Sequence, residues 1–523
     1  MTPANQLSRA RRWSAVAVLT ASLLVIMMDM TILNIALPEM AAELHPDSDQ
    51  QLWIIDVYSL ILAGLLVPLA AVADRWGRKR MLLLGYTIFG VASLLVLWAP
   101  TAGAVIAVRA FLGFGGAMIM PATLSLIRVI FTDPRERATA LSIWAAVSGL
   151  GAATGPLLGG FLLEHFSWHA AFLVNVPLML VALVAGIVIL PESRVSHPGP
   201  LDLVAAALAL GGMTLTVWSV KTFGKLATLA DPAAWVAGLI GLALLAWFGA
   251  RCARSTHPLI DLALFRSRVF SAGIIAALGS MFAMAAAMLL LAQWLQLVGG
   301  ATPFEAGIQM LPIAITSALG SLAAPPLARL IGTRAVLAGG VATAGLGMLV
   351  LGVVPGGLNL VAVLLSLALI GIGMGSLAIG SAMIMSGSPL EKAGSAGALE
   401  ETSYELGSVL GVAILGSVSA LVYRTELAAG ASLDGLTAEL ARQARESLGA
   451  AVAIGEHAAS PELIASAGEA FTRSLQLTGI VGGLLMVAVA VLVFCVTPKG
   501  TDVSGAEEAE AASALPDTAS RAV

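Results

Sequence analysis

The chain has 523 residues, of which 59% are hydrophobic and 11% charged, with a mean hydropathy of +0.95; soluble domains run near roughly 45–50% and 25%, so a water-soluble globular domain is excluded and the solvent is lipid. A formal net charge of −4, spread over short loops rather than gathered on a basic face, excludes nucleic acid as a partner. Cys252 and Cys495 have no metal-ligand spacing, so they read as free thiols and no metal centre is expected.

Arg9, Arg11 and Arg12 precede an apolar run from Trp13 to about Pro38, longer than the core of a signal peptide, which reads as a retained first transmembrane helix. Runs of about 18 or more apolar residues follow near 52–73, 81–99, 104–128, 139–163 and 169–190. Two more, near 201–220 and 234–250, precede a basic stretch, and six more lie near 270–297, 306–328, 334–354, 358–384, 397–423 and 474–497. The spacing therefore predicts an all-α membrane protein with fourteen transmembrane helices. The Lys/Arg-rich loops, such as Arg75, Arg78, Lys79 and Arg80, all fall on one side when both termini are placed in the cytoplasm. The expected domains are a six-helix bundle over 1–190, an inserted helix pair with linkers over 191–268, and a second six-helix bundle over 269–497. The last contains an extracellular segment, 425–472, open between a helical hairpin over the pore mouth and a solvated linker. The acidic, Ala/Ser-rich stretch 498–523 reads as a disordered cytoplasmic tail.

Acids inside the spans are the first candidates for chemistry, because each costs about 2.5–3.5 kcal/mol to place in hydrocarbon. Asp29 lies deep in the first span with no basic residue within a helical turn, as a reversible carboxylate or as an Asp held by helix–helix hydrogen bonds. Asp56 lies one turn into the second span beside Trp53 and Tyr58, either an outer-vestibule group or an interfacial anchor. Arg109, basic and mid-span, needs an acceptor or a water-filled cavity, and so points to proton coupling or to holding the bundle together. Gly151-x-x-x-Gly155-Pro156-x-x-Gly159-Gly160 allows close helix approach and a bend at Pro156. In the thirteenth span Glu401 and Glu405 share a face four residues apart, close enough to suit a proton carrier, while Glu400 either joins them or reaches the interface. Met284, Met288, Trp144 and similar residues could line an adaptable apolar cavity.

A phosphate-binding loop needs Gly-Lys-Ser/Thr; Lys221 is followed by Thr222, but Val220 stands where glycine should be. No ATP site and no cofactor are therefore expected, and an ion gradient is the expected drive. The halves also echo each other: Ala73-Asp74-Arg75-Trp76-Gly77 aligns with Ala328-Arg329-Leu330-Ile331-Gly332, and Gly151 and Gly155 align with Gly407 and Gly411, as in a duplicated six-helix unit.

These residues resemble the fourteen-helix drug:proton antiporter branch of the major facilitator superfamily, and within it the Qac-type antiseptic exporters. Asp74-Arg75-Trp76-Gly77-Arg78-Lys79-Arg80 is similar to the superfamily's loop 2–3 signature, which implies that Asp74, Arg75, Gly77 and Arg78 form a cytoplasmic latch between the halves. Ala70 departs from the glycine usual there. Arg109 with Gly113 resembles the fourth-helix motif linked to proton coupling, and Gly151 to Gly160 the fifth-helix antiporter motif of exporters. Residues 29–38 and 168–177 look like the branch's first- and sixth-helix signatures. Residues 53–60 and 400–407 resemble Qac-type sequences, in which the matching carboxylates are associated with protonation and cation recognition. The span 306–328 lacks the further acid some relatives carry, with Ser317 in the expected place, which favours monovalent over divalent cations.

The resemblance implies a major facilitator fold of two six-helix bundles plus two inserted helices, in a bacterial inner membrane, acting as a monomer and not as an enzyme. The expected function is proton-coupled efflux of lipophilic cationic drugs, such as quaternary ammonium antiseptics and dyes, by alternating access. The partners are then the drugs, protons and the lipid bilayer. Export of a self-made antibiotic on the same fold is the alternative; a non-transporting sensor would have no use for titratable groups in lipid.

Overall fold

About 20 helical residues cross a ~30 Å hydrocarbon core, and most helices of this chain are longer. The structure, a computed structural model, describes residues 7–44, 48–194, 202–226, 231–255, 258, 260–354, 358–389, 392–429, 436–458 and 460–501. Its α-helices are α1 (Arg9–Leu44), α2 (Ser48–Trp76), α3 (Arg78–Leu95), α4 (Ala102–Ile130), α5 (Pro134–His165), α6 (Ala170–Leu173), α7 (Asn175–Ile189), α8 (Leu203–Leu226) and α9 (Pro232–Arg254). They continue with α10 (Arg268–Gln293), α11 (Pro303–Ile331), α12 (Thr333–Val353), α13 (Leu360–Gly375), α14 (Leu377–Ser386), α15 (Ala393–Ala429), α16 (Ala438–Glu446), α17 (Leu448–His457) and α18 (Pro461–Val496). No strand occurs among the described residues.

Thirteen helical stretches among the described residues are long and apolar enough to cross a bilayer. The sixth span is α6 and α7 in series, and another joins α13 to α14 across Ser376. Helix α5 is outside those thirteen, but its 32 residues pack lengthwise on α1 and α11 as a fourteenth. Local sequence sets the ends. Asp133 accepts from the backbone N–H groups of Arg135 and Glu136 with Pro134 at the first helical position, and Thr302 and Glu305 form a reciprocal capping box at the start of α11.

The first six spans pack through α1 with α5, α2 and α3 with α4, and α3 with α7; the last six pack through α10 with α15, α11 and α12 with α13, and α12 with α18. The echo between the halves has a physical basis at three places. Gly77 (φ 127°) and Gly332 (φ 87°) each turn the chain between consecutive helices in a backbone region other residues avoid, and their N–H groups donate to Ala73 O and Ala328 O, both at 2.9 Å. A Cβ added to Gly155 would sit 2.7 Å from the Met28 carbonyl oxygen on α1, and one on Gly411 would overlap the Phe282 carbonyl oxygen on α10. Arg11 donates to the carbonyls of Val188 and Ile189 and Lys79 to those of Ile187 and Leu190, at the end of α7. Arg268 and Arg334 donate in the same way to Cys495, Val496 and Phe494 at the end of α18, where cations complement the unpaired carbonyls.

Helices α8 and α9 pack on each other, and α8 also lies against both α2 and α15, where Leu60, Val217 and Val409 form a small apolar cluster joining the inserted helix to each half. The segment expected as an extracellular loop over 425–472 is largely helical among its described residues. Helix α15 continues to Ala429, α18 begins at Pro461, and the hairpin α16–α17 lies between, fastened where the Tyr423 hydroxyl donates to Ala444 O at 3.0 Å. Of the expected tail, residues 502–523 lie outside the described residues.

Candidate functional site

A carboxylate in hydrocarbon needs a partner, and Asp29 obtains one from another helix. Arg109 Nη1 on α4 lies 3.0 Å from Asp29 Oδ2, with side chains 2% and 1% exposed. Asn175 Nδ2 at the start of α7 donates to Asp29 Oδ1 at 2.7 Å and lies 3.3 Å from Ser93 Oγ on α3. Arg109 Nε donates to Ile54 O at 3.2 Å, and the guanidinium covers the Tyr58 ring at 4.5 Å. Elements α1, α2, α3, α4 and α7 thus meet at one ion pair. Both oxygens of Asp29 are engaged. Asn175 falls within the stretch 168–177 that resembles the sixth-helix signature, and a lone amide in an apolar run is the sequence signal for its role.

The second polar cluster is on α15. Glu400 is fully buried and does not reach the interface: its Oε1 accepts from Ser381 Oγ on α14 and from the Tyr404 hydroxyl at 2.7 Å. Glu400 Oε2 and Glu401 Oε1 are buried without a protein hydrogen-bond partner, and Glu401 lies within electrostatic reach of both Glu400 and Glu405. Glu405 is half-buried and within reach of Tyr58, which also feels Asp29 and Arg109. Tyr58 thereby stands between the two clusters. Asp56 lies in α2, but its side chain is outside the described residues.

Between the halves is a cavity of about 100 Å³ lined by α1, α5, α10, α11, α13, α14 and α15. Six methionines (Met27, Met281, Met284, Met288, Met310 and Met374) share its wall with Trp144 and Tyr404. Met281, Met284 and Met288 recur at the i, i+3, i+7 spacing of one helix face. The Trp144 indole is fixed by a 3.1 Å bond from Nε1 to Thr123 Oγ1. Thioethers are polarizable and adapt to varied shapes, which gives the wall little geometric preference. Drug-sized ligands occupy pockets of about 300–1,000 Å³, so the cavity must widen to take one.

The remaining expected residues lie elsewhere. Gly151 and Gly155 form the α5 surface against α1, Gly159 is buried, and a Cβ on Gly160 would meet only the Phe304 ring, at 3.6 Å. Pro156 lies within α5, its side chain outside the described residues. The loop signature expected as a latch makes the following described bonds. Asp74 Oδ1 pairs with Arg78 Nη2 at 2.8 Å, Arg78 Nη1 donates to Ser193 Oγ at 3.1 Å, and Arg80 Nε lies 3.6 Å from Glu192 Oε2. Arg75 Nη1 donates to Ala71 O at 2.6 Å, and the carboxylate of Glu192 covers Gly77. These bonds tie α2 and α3 to the end of the sixth span, within the first half, because the chain after α7 turns back under the loop. The halves are bridged on this side by Arg128, which motif reading passed over: its Nη2 donates to Ser388 O at 2.9 Å, from the end of α4 to the segment after α14.

Residues 19–412 match the family model described as Major Facilitator Superfamily. The chain is 39% identical over 497 residues to the multidrug efflux pump LfrA of Mycolicibacterium smegmatis, covering 94% of this chain and 97% of that protein. It is 37% identical to the methyl viologen resistance protein SmvA of Salmonella typhimurium, over 84% and 89% of the two chains. It is 32% identical to the tetracenomycin C resistance and export protein of Streptomyces glaucescens, over 80% and 78%. Among solved structures it is similar in fold to the human organic anion transporter MFSD10, with a TM-score of 0.60 at 15% identity over 93% and 99%. The fold is also similar to that of a bacterial homolog of the lysosomal transporter Spinster, with a TM-score of 0.55 at 17% identity over 94% and 98%.

Proposed function

The chain belongs to the Major Facilitator Superfamily, a family of membrane transporters, and from that membership we propose that it exports lipophilic cationic drugs in exchange for protons. The observation that carries this reading is the adaptable methionine-lined cavity between the halves, with a buried carboxylate bonded to a residue of its wall. Drug efflux is supported by relatives named for multidrug efflux and drug resistance. Proton coupling is supported by Glu400 and Glu401, each with an oxygen that no protein donor occupies, since such an oxygen can take up and release a proton. Exchange of one monovalent cation for one proton moves no net charge and is driven by the pH gradient, and a second proton adds about 2.3 kcal/mol per 100 mV of membrane potential.

Transport by alternating access requires the halves to part, first on one face and then on the other, around the cavity. A cation from the cytoplasm or inner leaflet enters, is held by dispersion and by the carboxylates behind the wall, and leaves outside as protons rebind. The carbonyl-capping cations Arg11, Lys79, Arg268 and Arg334 all lie on the side of the basic loop at 75–80, which supports cytoplasmic termini in an inner membrane.

The test is ethidium flux in proteoliposomes under an imposed pH gradient, comparing wild type with Asp29→Asn and Glu401→Gln. Expected are gradient-dependent flux in the wild type, its collapse with a protonophore, and a loss of about tenfold or more in each variant. Absence of gradient-dependent flux for a panel of lipophilic cations would overturn the export reading, and flux unchanged by both substitutions would overturn the sites. A second reading, export of a neutral self-made antibiotic, is favoured by the absence of any carboxylate among the described cavity-lining residues and by a relative named for tetracenomycin C export. A neutral antibiotic belongs in the same panel and decides between them.

A further inference from the structure

A coupled exporter must pass information from cargo to proton site, yet among the described residues the wall of the cavity is apolar apart from Ser148, Ser317, the Trp144 indole and Tyr404. Of these, Tyr404 is the one hydrogen-bonded to a carboxylate, its hydroxyl donating to Glu400 Oε1 at 2.7 Å. Ser381 donates to the same oxygen from α14 but does not line the cavity. Glu400 Oε2 has no protein partner. Its acid proton therefore has one place to reside, on Oε2, while Oε1 is held by two hydroxyls.

We propose that Tyr404 is the positioning residue that couples cargo to proton, its ring touching the cation in the cavity and its hydroxyl setting the charge state of Glu400. The inference rests on the export reading above and deepens it. When a cation lies on the ring face, the ring and the anion behind it are favoured together. The proton on Oε2 leaves to water, and the negative charge left on the carboxylate is held by the Tyr404 and Ser381 hydroxyls, hydrogen bonds that strengthen when the acceptor is ionised. One cation enters and one proton departs, so charge is conserved. Return of the proton to Oε2 removes the counter-charge and releases the cargo.

Among the described residues, Glu401 on α15 itself lies within electrostatic reach of Glu400 and of Glu405, and Tyr58 on α2 feels Glu405, Asp29 and Arg109; α8, also packed on α15, carries Lys221 and Lys225 in its last turns. Helix α14 carries no charged residue, α10 has one at its cytoplasmic start, and α18 carries its charged residues toward the outer end.

The experiment measures proton release on adding ethidium to purified protein in lightly buffered detergent, alongside ethidium affinity by fluorescence. Wild type releases protons on binding. Tyr404→Phe keeps the ring and is expected to keep Kd within about threefold while proton release per bound cargo falls about tenfold, the size of ordinary site–site coupling. Ser381→Ala, which removes the other donor outside the cavity, keeps cargo-linked release and shifts only the pH at which it is half complete. Proton release in Tyr404→Phe equal to wild type overturns the proposal, as does an equal loss in Ser381→Ala. A second measurement needs no Tyr404 variant: infrared difference spectra of wild type on cargo addition lose a protonated-carboxyl C=O band, and Glu400→Gln removes that signal. A band that survives Glu400→Gln overturns the proposal. A wild type that transports and binds cations without releasing protons overturns it while leaving cation export standing, so the two failures are distinguishable.

Discussion

Asp29 and Arg109 are each untenable alone in hydrocarbon, and that mutual dependence gives a prediction at the scale of single residues. Arg109→Ala leaves a buried carboxylate without its cation, and breaking such a pair from one side costs about 3–5 kcal/mol. Asp29→Asn leaves a guanidinium that still has Ile54 O and the Tyr58 ring. In a double-mutant cycle read by thermal unfolding in detergent, Arg109→Ala is expected to be rescued in part by Asp29→Asn. Additive losses would show that the pair is not energetically coupled. The sequence made both residues conspicuous by their depth. It could not pair them, because they are 80 positions apart and the α1–α4 crossing that joins them is a property of the bundle.

At the scale of elements, the glycine motif of α5 acts as a surface. A Cβ at Gly155 would sit 2.7 Å from Met28 O and overlap Thr31 Oγ1, and one at Gly411 would overlap Phe282 O on the equivalent α10–α15 crossing. Gly160 faces only the edge of Phe304. Gly155→Ala and Gly411→Ala are therefore each expected to lower stability by about 1–3 kcal/mol, the usual range for overpacking, and to slow export, whereas Gly160→Ala is tolerated. Melting temperatures and ethidium efflux of the three variants check this, and equal tolerance at all three positions would contradict it. The spacing of the motif was legible in the sequence. The helix each glycine touches was not, since small-xxx-small patterns state that something comes close without stating what.

At the scale of the whole molecule, the halves meet along α5 with α11 and α2 with α15, while α8 bridges α2 and α15. On the side of the basic loop at 75–80, the side proposed as cytoplasmic, Arg128 holds Ser388 O across the divide. Arg128→Ala removes that bridge and is expected to favour opening toward the cytoplasm. A cysteine placed at Ser148, on the cavity wall, should then react faster with a membrane-impermeant maleimide supplied from the cytoplasmic side of inverted vesicles. An unchanged labelling rate would mean that Arg128 does not hold the cytoplasmic side closed.

Composition, the lengths of the apolar runs and the bias of Lys and Arg determined that this is a polytopic helical membrane protein, because hydrophobic thickness and the cost of unpaired backbone in lipid leave few alternatives. The echoes at Gly77 and Gly332 and at Gly155 and Gly411 were also in the sequence, since a left-handed turn or a backbone contact admits little besides glycine. Only the tertiary structure decided which groups the intramembrane charges meet. It placed Arg109 and Asn175 on Asp29, kept the Asp74–Arg78 pair within the first half, buried Glu400 behind Tyr404, and gathered methionines from α1, α10, α11 and α13 around one cavity. The contacts to Asp29 and around the cavity join residues tens to hundreds of positions apart, beyond the one or two turns that helical periodicity reaches, whereas Asp74–Arg78 and Glu400–Tyr404 are four-residue helix neighbours whose surroundings alone needed the fold.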